Sequence, residues 1–285
     1  MSERIIVTMT TWSRRIHNIP AILDTIFAQS IPPDLVVLNL AFEENIPSDI
    51  QEYIENHSIE VNRVPDTKVY KKLIPTLKKY PDDCIIAIDD DWLYPKHMIE
   101  DFMCIHKRFP QYPISGNKMV LFQLQCHCGC ASLVKASYFG NYLDYIDDEV
   151  IKNCSSDDIV YTYFANKAGN PYIRTNEEYY TNMKSFNDID SYSKRCVKED
   201  GINSSYTYLT NRFGQIPSCV FSYISDDYFA SLISDIYKRS LVHEYQRGIK
   251  KTEDVYLSSY SFRLGHCLLT PFIWMKKHLV HNKRA

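Results

Sequence analysis

Two periodicities alternate along the first part of the chain. Ile5 to Met9 is a short apolar run that ends in the polar stretch Thr10-Thr11-Trp12-Ser13-Arg14-Arg15. From Ile19 the apolar residues recur as Ile19, Ile22, Leu23, Ile26 and Phe27, which is the spacing of one helix face. Pro20 suits the first turn of that helix, and Pro32-Pro33 stops it. Leu35 to Leu40 predicts a second strand. Ser48 and Gln51 predict a capping box before a short helix that buries Ile50, Tyr53 and Ile54. Val61 to Val64 predicts a third strand. Tyr70, Leu73, Ile74 and Leu77 space as a helix kinked at Pro75. Cys84 to Ile88 is an unbroken apolar run, as expected of a strand buried on both faces. Alternating β and α elements predict a mostly parallel sheet with right-handed crossovers.

Beyond Pro95, Met98, Ile99, Phe102 and Ile105 mark another helix face, and Met119 to Gln125 reads as a strand. Ser155-Ser156-Asp157-Asp158 opens a helix carrying Ile159, Val160, Tyr163 and Phe164, with Gly169 at its C-terminal cap. Pro171 to Arg174 predicts a strand. Thr181 to Phe213 shows no period and reads as loop with short elements; a last helical region is expected from about Asp226 to Tyr245.

Composition narrows the class without naming a function. The 285 residues are 45% hydrophobic and 24% charged, as in ordinary globular proteins. A net charge of −3 provides no field for nucleic acid. No secretory signal precedes the first strand, so the nine cysteines are expected to be reduced thiols in a cytoplasmic protein. Cys126-His127-Cys128-Gly129-Cys130 lacks the paired spacing of a structural zinc site and reads as small thiols on a strand. The candidate chemistry lies elsewhere. Ile88 runs straight into Asp89-Asp90-Asp91, at the carboxyl end of a strand, where open α/β sheets bind ligands. Three adjacent carboxylates repel one another, and a hard divalent cation turns that repulsion into binding while keeping positions for phosphate oxygens.

These features resemble the GT-A glycosyltransferases, most closely the family 2-like bacterial enzymes that build surface polysaccharides. The likeness spans about residues 4–175. It rests on Lys72-Leu73-Ile74-Pro75-Thr76-Leu77, Ile88-Asp89-Asp90-Asp91-Trp92-Leu93-Tyr94-Pro95, Gly129-Cys130-Ala131 and Ser156-Asp157-Asp158, in that order. It implies an α/β fold: a single GT-A (Rossmann-like) domain over residues 1–215, with a mostly parallel central sheet, and a helical C-terminal extension over 216–285. It also implies transfer of a monosaccharide from a nucleotide sugar, UDP-linked, to a saccharide or lipid-linked saccharide acceptor, with inversion. Asp91 and Asp89 would hold Mn²⁺ or Mg²⁺. Thr8, Thr10, Arg14, Asn39, Asp66, Lys72, Asp89 and Asp90 would bind the donor. Asn39 stands where relatives carry an acid. Asp158, the second of the acidic pair, would be the general base, with the adjacent Asp157 the other catalytic candidate.

The tail from Val255 to Ala285 has no acidic residue and mixes Arg263, Lys276, Lys277, Lys283 and Arg284 with aromatic and aliphatic residues. That pattern suits the headgroup layer of an anionic membrane at the inner face of the cell, or equally a helix docked on the domain. Two other functions share the acidic pattern. A sugar nucleotidyltransferase would carry a Gly-rich phosphate loop near the start, yet residues 1–57 contain no glycine. A non-catalytic sugar-binding module would not need both acidic clusters.

Overall fold

The structure, a computed structural model, describes residues 3–116, 120–121, 124–127, 130–175, 184–185 and 201–216. Its centre is a seven-stranded sheet. The strands are β1 (Ile5–Thr10), β2 (Leu35–Ala41), β3 (Glu60–Val64), β4 (Cys84–Ile88), β6 (Ile114–Ser115), β9 (Ala131–Val134) and β10 (Ile173–Arg174), in the order β10-β6-β9-β4-β1-β2-β3. Only β9 runs against the others. All five residues of β4 are fully buried, and successive side chains point to opposite faces, so the sheet is covered on both. Burying each of Ile85, Ile86 and Ile88 contributes ~1.5–3 kcal/mol. Among the described residues, four two-residue strands stand outside this sheet. β5 (Trp92–Leu93) pairs antiparallel with β11 (Lys184–Ser185), and β7 (Val120–Leu121) pairs antiparallel with β8 (Leu124–Gln125).

The helices are α1 (Ile19–Phe27), α2 (Ser48–Asn56), α3 (Ile74–Lys79), α4 (Met98–Arg108), α5 (Asp148–Asn153), α6 (Asp157–Lys167) and α7 (Gly201–Phe213). Gln29 ties α1 to α4 by accepting the Ile99 N–H at 3.1 Å. Gly169 ends α6 with φ +84°, and the bonds Gly169 N–H to Asn166 O and Asn170 N–H to Ala165 O close the Schellman pattern that a left-handed residue permits.

Several expectations change. Pro75 does not kink one helix but separates two elements, a 3₁₀ turn (Lys68–Lys72) and α3, with the proline in the first turn of α3 where its missing N–H costs nothing. The cap of α2 is Pro47, not Ser48, and Gln51 bonds Glu55 instead of closing a capping box. Within the run 119–125, Val120–Leu121 pairs with Leu124–Gln125; the strand beside β4 is Ala131–Val134, for which no strand was expected. Finally, 201–213 is a three-turn helix rather than loop. Its buried stripe is Gly201, Ser205 and Leu209, one small, one polar and one apolar residue at i, i+4 and i+8, which carries almost no hydrophobic period. All described residues fall in one unit; apart from Ile216, the expected extension, with its helical region and the basic tail, lies outside the described residues.

Candidate active site

The parallel strands bring their carboxyl ends together. Asp89, Asp90 and Asp91 leave β4 between the end of β1 and the start of β9. The three acids have different surroundings. Asp90 is buried, and both carboxylate oxygens are engaged: Oδ2 accepts from Thr11 Oγ1 at 2.6 Å and Oδ1 from Arg15 Nη1 at 2.8 Å. Asn18 Nδ2 donates to its carbonyl at 3.2 Å. Burial raises the Asp90 carboxyl above its ordinary value despite Thr11 and Arg15. Asp90 therefore anchors the turn to the loop after β1.

Asp89 accepts from Lys72 Nζ at 2.8 Å, and its side chain is 30% exposed. The Asp91 carboxylate lies 3.2 Å from Arg15 Nη1. Burial, then the charge of Asp89, pushes Asp91 up to about 6. This is surplus negative charge held by geometry, the condition a cation relieves. Asp89 and Asp91 are the residues that could hold a divalent ion here.

Lys72 joins this cluster to the second one. Its ammonium is 4% exposed and sits 2.8 Å from Asp89 and 3.5 Å from Asp157 Oδ2. Burial alone would lower its pKa, but the fields of Asp89, Asp157 and Asp158 outweigh that and hold it charged. Asp157 and Asp158 open α6 behind the cap residue Ser156. Asp157 is buried and directed at Lys72. Asp158 is half-buried, and its carbonyl accepts from Thr162 Oγ1 at 2.6 Å.

Behind the acids lies a buried aromatic wall. The His127 ring stands 4.9 Å from the ring of Tyr161, and its Nδ1 lies 3.0 Å from the Tyr172 hydroxyl. Burial and the Lys72 charge keep His127 neutral, well below its ordinary pKa. Among the described residues, His127 Nε2 and Tyr161 OH are buried without a hydrogen-bond partner, and Asp157 Oδ2 has the 3.5 Å ion pair with Lys72 in place of a hydrogen bond. Buried polar atoms in native proteins are nearly always satisfied, so such a group marks a place where another polar species fits.

The other expected donor-binding residues are distributed as follows. Thr8 and Asn39 are fully buried and belong to an interior network: Thr8 Oγ1 donates to Lys72 O at 2.8 Å, and Asn39 Nδ2 donates to Thr8 and Thr76 hydroxyls at 2.9 Å each. They hold the Lys68–Lys79 segment on the sheet, and so position Lys72. Thr10 donates to Asn39 O at 2.7 Å. Arg14 is exposed and lies 5.2 Å over the Trp12 ring; it is Arg15 that reaches the carboxylates. Asp66 is mostly exposed and pairs with Lys71. Arg15, Thr11, Asn18, Tyr161 and His127 escaped the sequence reading. The acid-rich turn facing Ser13-Arg14-Arg15 signals an arginine partner, but does not choose between the two.

Solved structures share this architecture. A mannosyltransferase, PcManGT from Pyrobaculum calidifontis, in complex with GDP-Man and Mn²⁺, superposes with a TM-score of 0.54 at 15% identity, covering 95% of this chain and 81% of that one. The chain has the GT-A glycosyltransferase fold. S. aureus TarS in complex with UDP-GlcNAc is a more distant match, with a TM-score of 0.46 at 12% identity, covering 81% of this chain and 79% of TarS 1–349. No family model matches the sequence, and no curated protein does. In this sheet the acidic turn after β4 lies at the carboxyl edge, where α/β sheets take their ligands.

Proposed function

We propose that the protein is a metal-dependent, inverting glycosyltransferase that moves a monosaccharide from a nucleotide sugar, UDP-linked, to a hydroxyl of a saccharide or lipid-linked saccharide acceptor in surface polysaccharide synthesis. The observation that carries this reading is Lys72. One buried ammonium pairs with Asp89 of the first acidic cluster and Asp157 of the second, so residues far apart in sequence share one site. The shared fold with a mannosyltransferase solved with GDP-Man and Mn²⁺ is in line with it.

Asp89 and Asp91 would hold Mn²⁺ or Mg²⁺, which when bound supplies Lewis-acid neutralisation of the leaving diphosphate. Arg15 and Thr11 lock Asp90, which fixes the turn that presents its two neighbours. The acceptor oxygen attacks the anomeric carbon as the bond to the diphosphate oxygen breaks, and the electron pair leaves with the nucleotide. The acceptor proton passes to a carboxylate. Asp157 is engaged by Lys72, and Asp158, the second acid of the pair, is assigned as base. A positioned base contributes ~10²–10⁴-fold.

No helix among the described residues is long and apolar enough to cross a membrane. The basic aromatic tail is the segment we assign to an anionic membrane surface.

The test is transfer from a panel of UDP and GDP sugars with Mn²⁺, run on wild type, Asp158→Asn and Asp157→Asn. Asp158→Asn should bind donor normally and lose about two to four orders of magnitude in turnover. Transfer that survives in both variants removes the second cluster from the mechanism. No hydrolysis or transfer of any donor by wild type supports a binding module instead.

A further inference from the structure

A second group of ligand-type side chains lies at the opposite, amino end of the sheet. Cys84 begins β4, Glu3 precedes β1, and His106 is in the last turn of α4. Their ligand atoms lie within 4.8 Å of one another, the only such group among the described residues. β4 is five residues long, so this cluster and Asp89 are roughly 17 Å apart at ~3.3 Å per residue. Glu3 Oε2 is the meeting point: Cys84 Sγ approaches it at 3.4 Å and His106 Nε2 at 2.9 Å. The other oxygen, Oε1, is taken by Lys135, which keeps the carboxylate charged and leaves Oε2 facing the two buried groups.

The decisive observation is the hydrogen bonding of Tyr138. Its hydroxyl has one proton and donates it to the Pro110 carbonyl at 3.0 Å, since a carbonyl only accepts. When the hydroxyl does so, it accepts toward His106 Nδ1, 3.0 Å away, and Nδ1 carries the ring's hydrogen. In that neutral tautomer Nε2 is a lone pair, 2.9 Å from the carboxylate oxygen of Glu3. Two lone pairs at 2.9 Å need a cation between them. A second ring proton is one solution. A metal ion is the other, and it alone also uses the Cys84 sulfur at the same point. A ligating histidine whose far N–H is fixed by a hydroxyl or carbonyl is the usual arrangement around bound metals.

We propose that Glu3, Cys84 and His106 form a zinc-type metal site, separate from the donor site. Sulfur, imidazole and carboxylate are the ligands of Zn²⁺, with Tyr138 orienting the histidine and water as the fourth ligand. On binding, the Cys84 thiol loses its proton to solvent and the metal–sulfur bond forms without any change of oxidation state. The ion joins the residue before β1, the start of β4 and the end of α4, so its role is to brace the edge of the sheet.

The test uses the full chain stripped of metal with a chelator and titrated with Co²⁺, which shows a thiolate-to-cobalt charge-transfer band only with sulfur in its shell. Wild type should develop that band to one equivalent and lose it on addition of Zn²⁺. Cys84→Ser should lack the band, which separates this site from the other eight cysteines and from the carboxylates at Asp91. Glu3→Gln changes a partly exposed side chain, keeps the fold, and should weaken Co²⁺ binding at least tenfold. A wild type with no thiolate band, a band retained in Cys84→Ser, or unchanged affinity in Glu3→Gln overturns the proposal. So does a His106 ring that, in saturating Zn²⁺, carries protons on both nitrogens by NMR, because the proton then occupies the place assigned to the metal.

Discussion

Replacing Lys72 with methionine keeps most of the buried side-chain volume and removes only the charge. At an effective dielectric of ~20, the ammonium interacts by ~6 kcal/mol with Asp89 at 2.8 Å and by ~5 kcal/mol with Asp157 at 3.5 Å. Desolvation of the ions offsets most of this, at several kcal/mol per ion. What remains after Lys72→Met is an uncompensated buried carboxylate at Asp157 and a partly exposed one at Asp89. Breaking a buried pair by removing one partner costs ~3–5 kcal/mol, and the 30% exposure of Asp89 places the expected cost near ~3 kcal/mol. For a domain of this size that is a fall in Tm of about 6–12 °C, read by calorimetry. Adding Asp157→Asn to Lys72→Met removes one stranded charge and should recover ~1–3 kcal/mol relative to additivity. Divalent cation binding should tighten in Lys72→Met, since the ammonium no longer competes for Asp89. An unchanged Tm in Lys72→Met, or strict additivity in the double variant, would refute the view that this lysine couples the two acidic clusters.

Two further outcomes are expected. Asp91 has a carboxyl raised to about 6, so its proton competes with a cation below that pH. Mn²⁺ affinity measured by titration calorimetry should be flat above about pH 7 and fall with decreasing pH below 6; an affinity flat down to pH 5 contradicts the ligand assignment. A chain truncated before Ser258 should no longer sediment with anionic liposomes; equal sedimentation of full-length and truncated protein would dismiss the membrane role of the tail.

Much of the core sheet is readable from apolar runs, because strands buried on both faces leave no other pattern. β1, β2 and β4, and the faces of α1 and α4, follow directly from residue type and spacing. Elements without an apolar period are not readable in this way. α7 buries Gly201 and Ser205, which look the same in a loop, and β9 is a four-residue strand whose partner β4 is more than forty residues away. For the site, carboxylates at a strand end stand out because their mutual repulsion has few structural uses. Burial of Lys72 does not stand out, since its neighbours Lys71, Lys78 and Lys79 have the same composition and only the fold selects which ammonium faces the acids. Thr8 and Asn39 show the converse. Polar residues at strand ends suit a ligand, yet here their hydrogen bonds with Thr76 and the Lys72 carbonyl fix the segment that carries the lysine. Arg14 and Arg15 are adjacent, so composition cannot rank them; the turn after β1 places one on Trp12 and the other on Asp90.

The most direct test is calorimetric titration of wild type and Asp91→Asn with UDP and GDP sugars, each in Mn²⁺ and in a chelator. Asp91 is half-buried at the rim of the turn, and Asp90 with Arg15 holds the fold around it, so the variant should remain folded. The account predicts that wild type binds a nucleotide sugar only with the metal present and that Asp91→Asn loses this metal-dependent binding. Donor binding of equal strength in the two proteins, with the same response to the chelator, would contradict it.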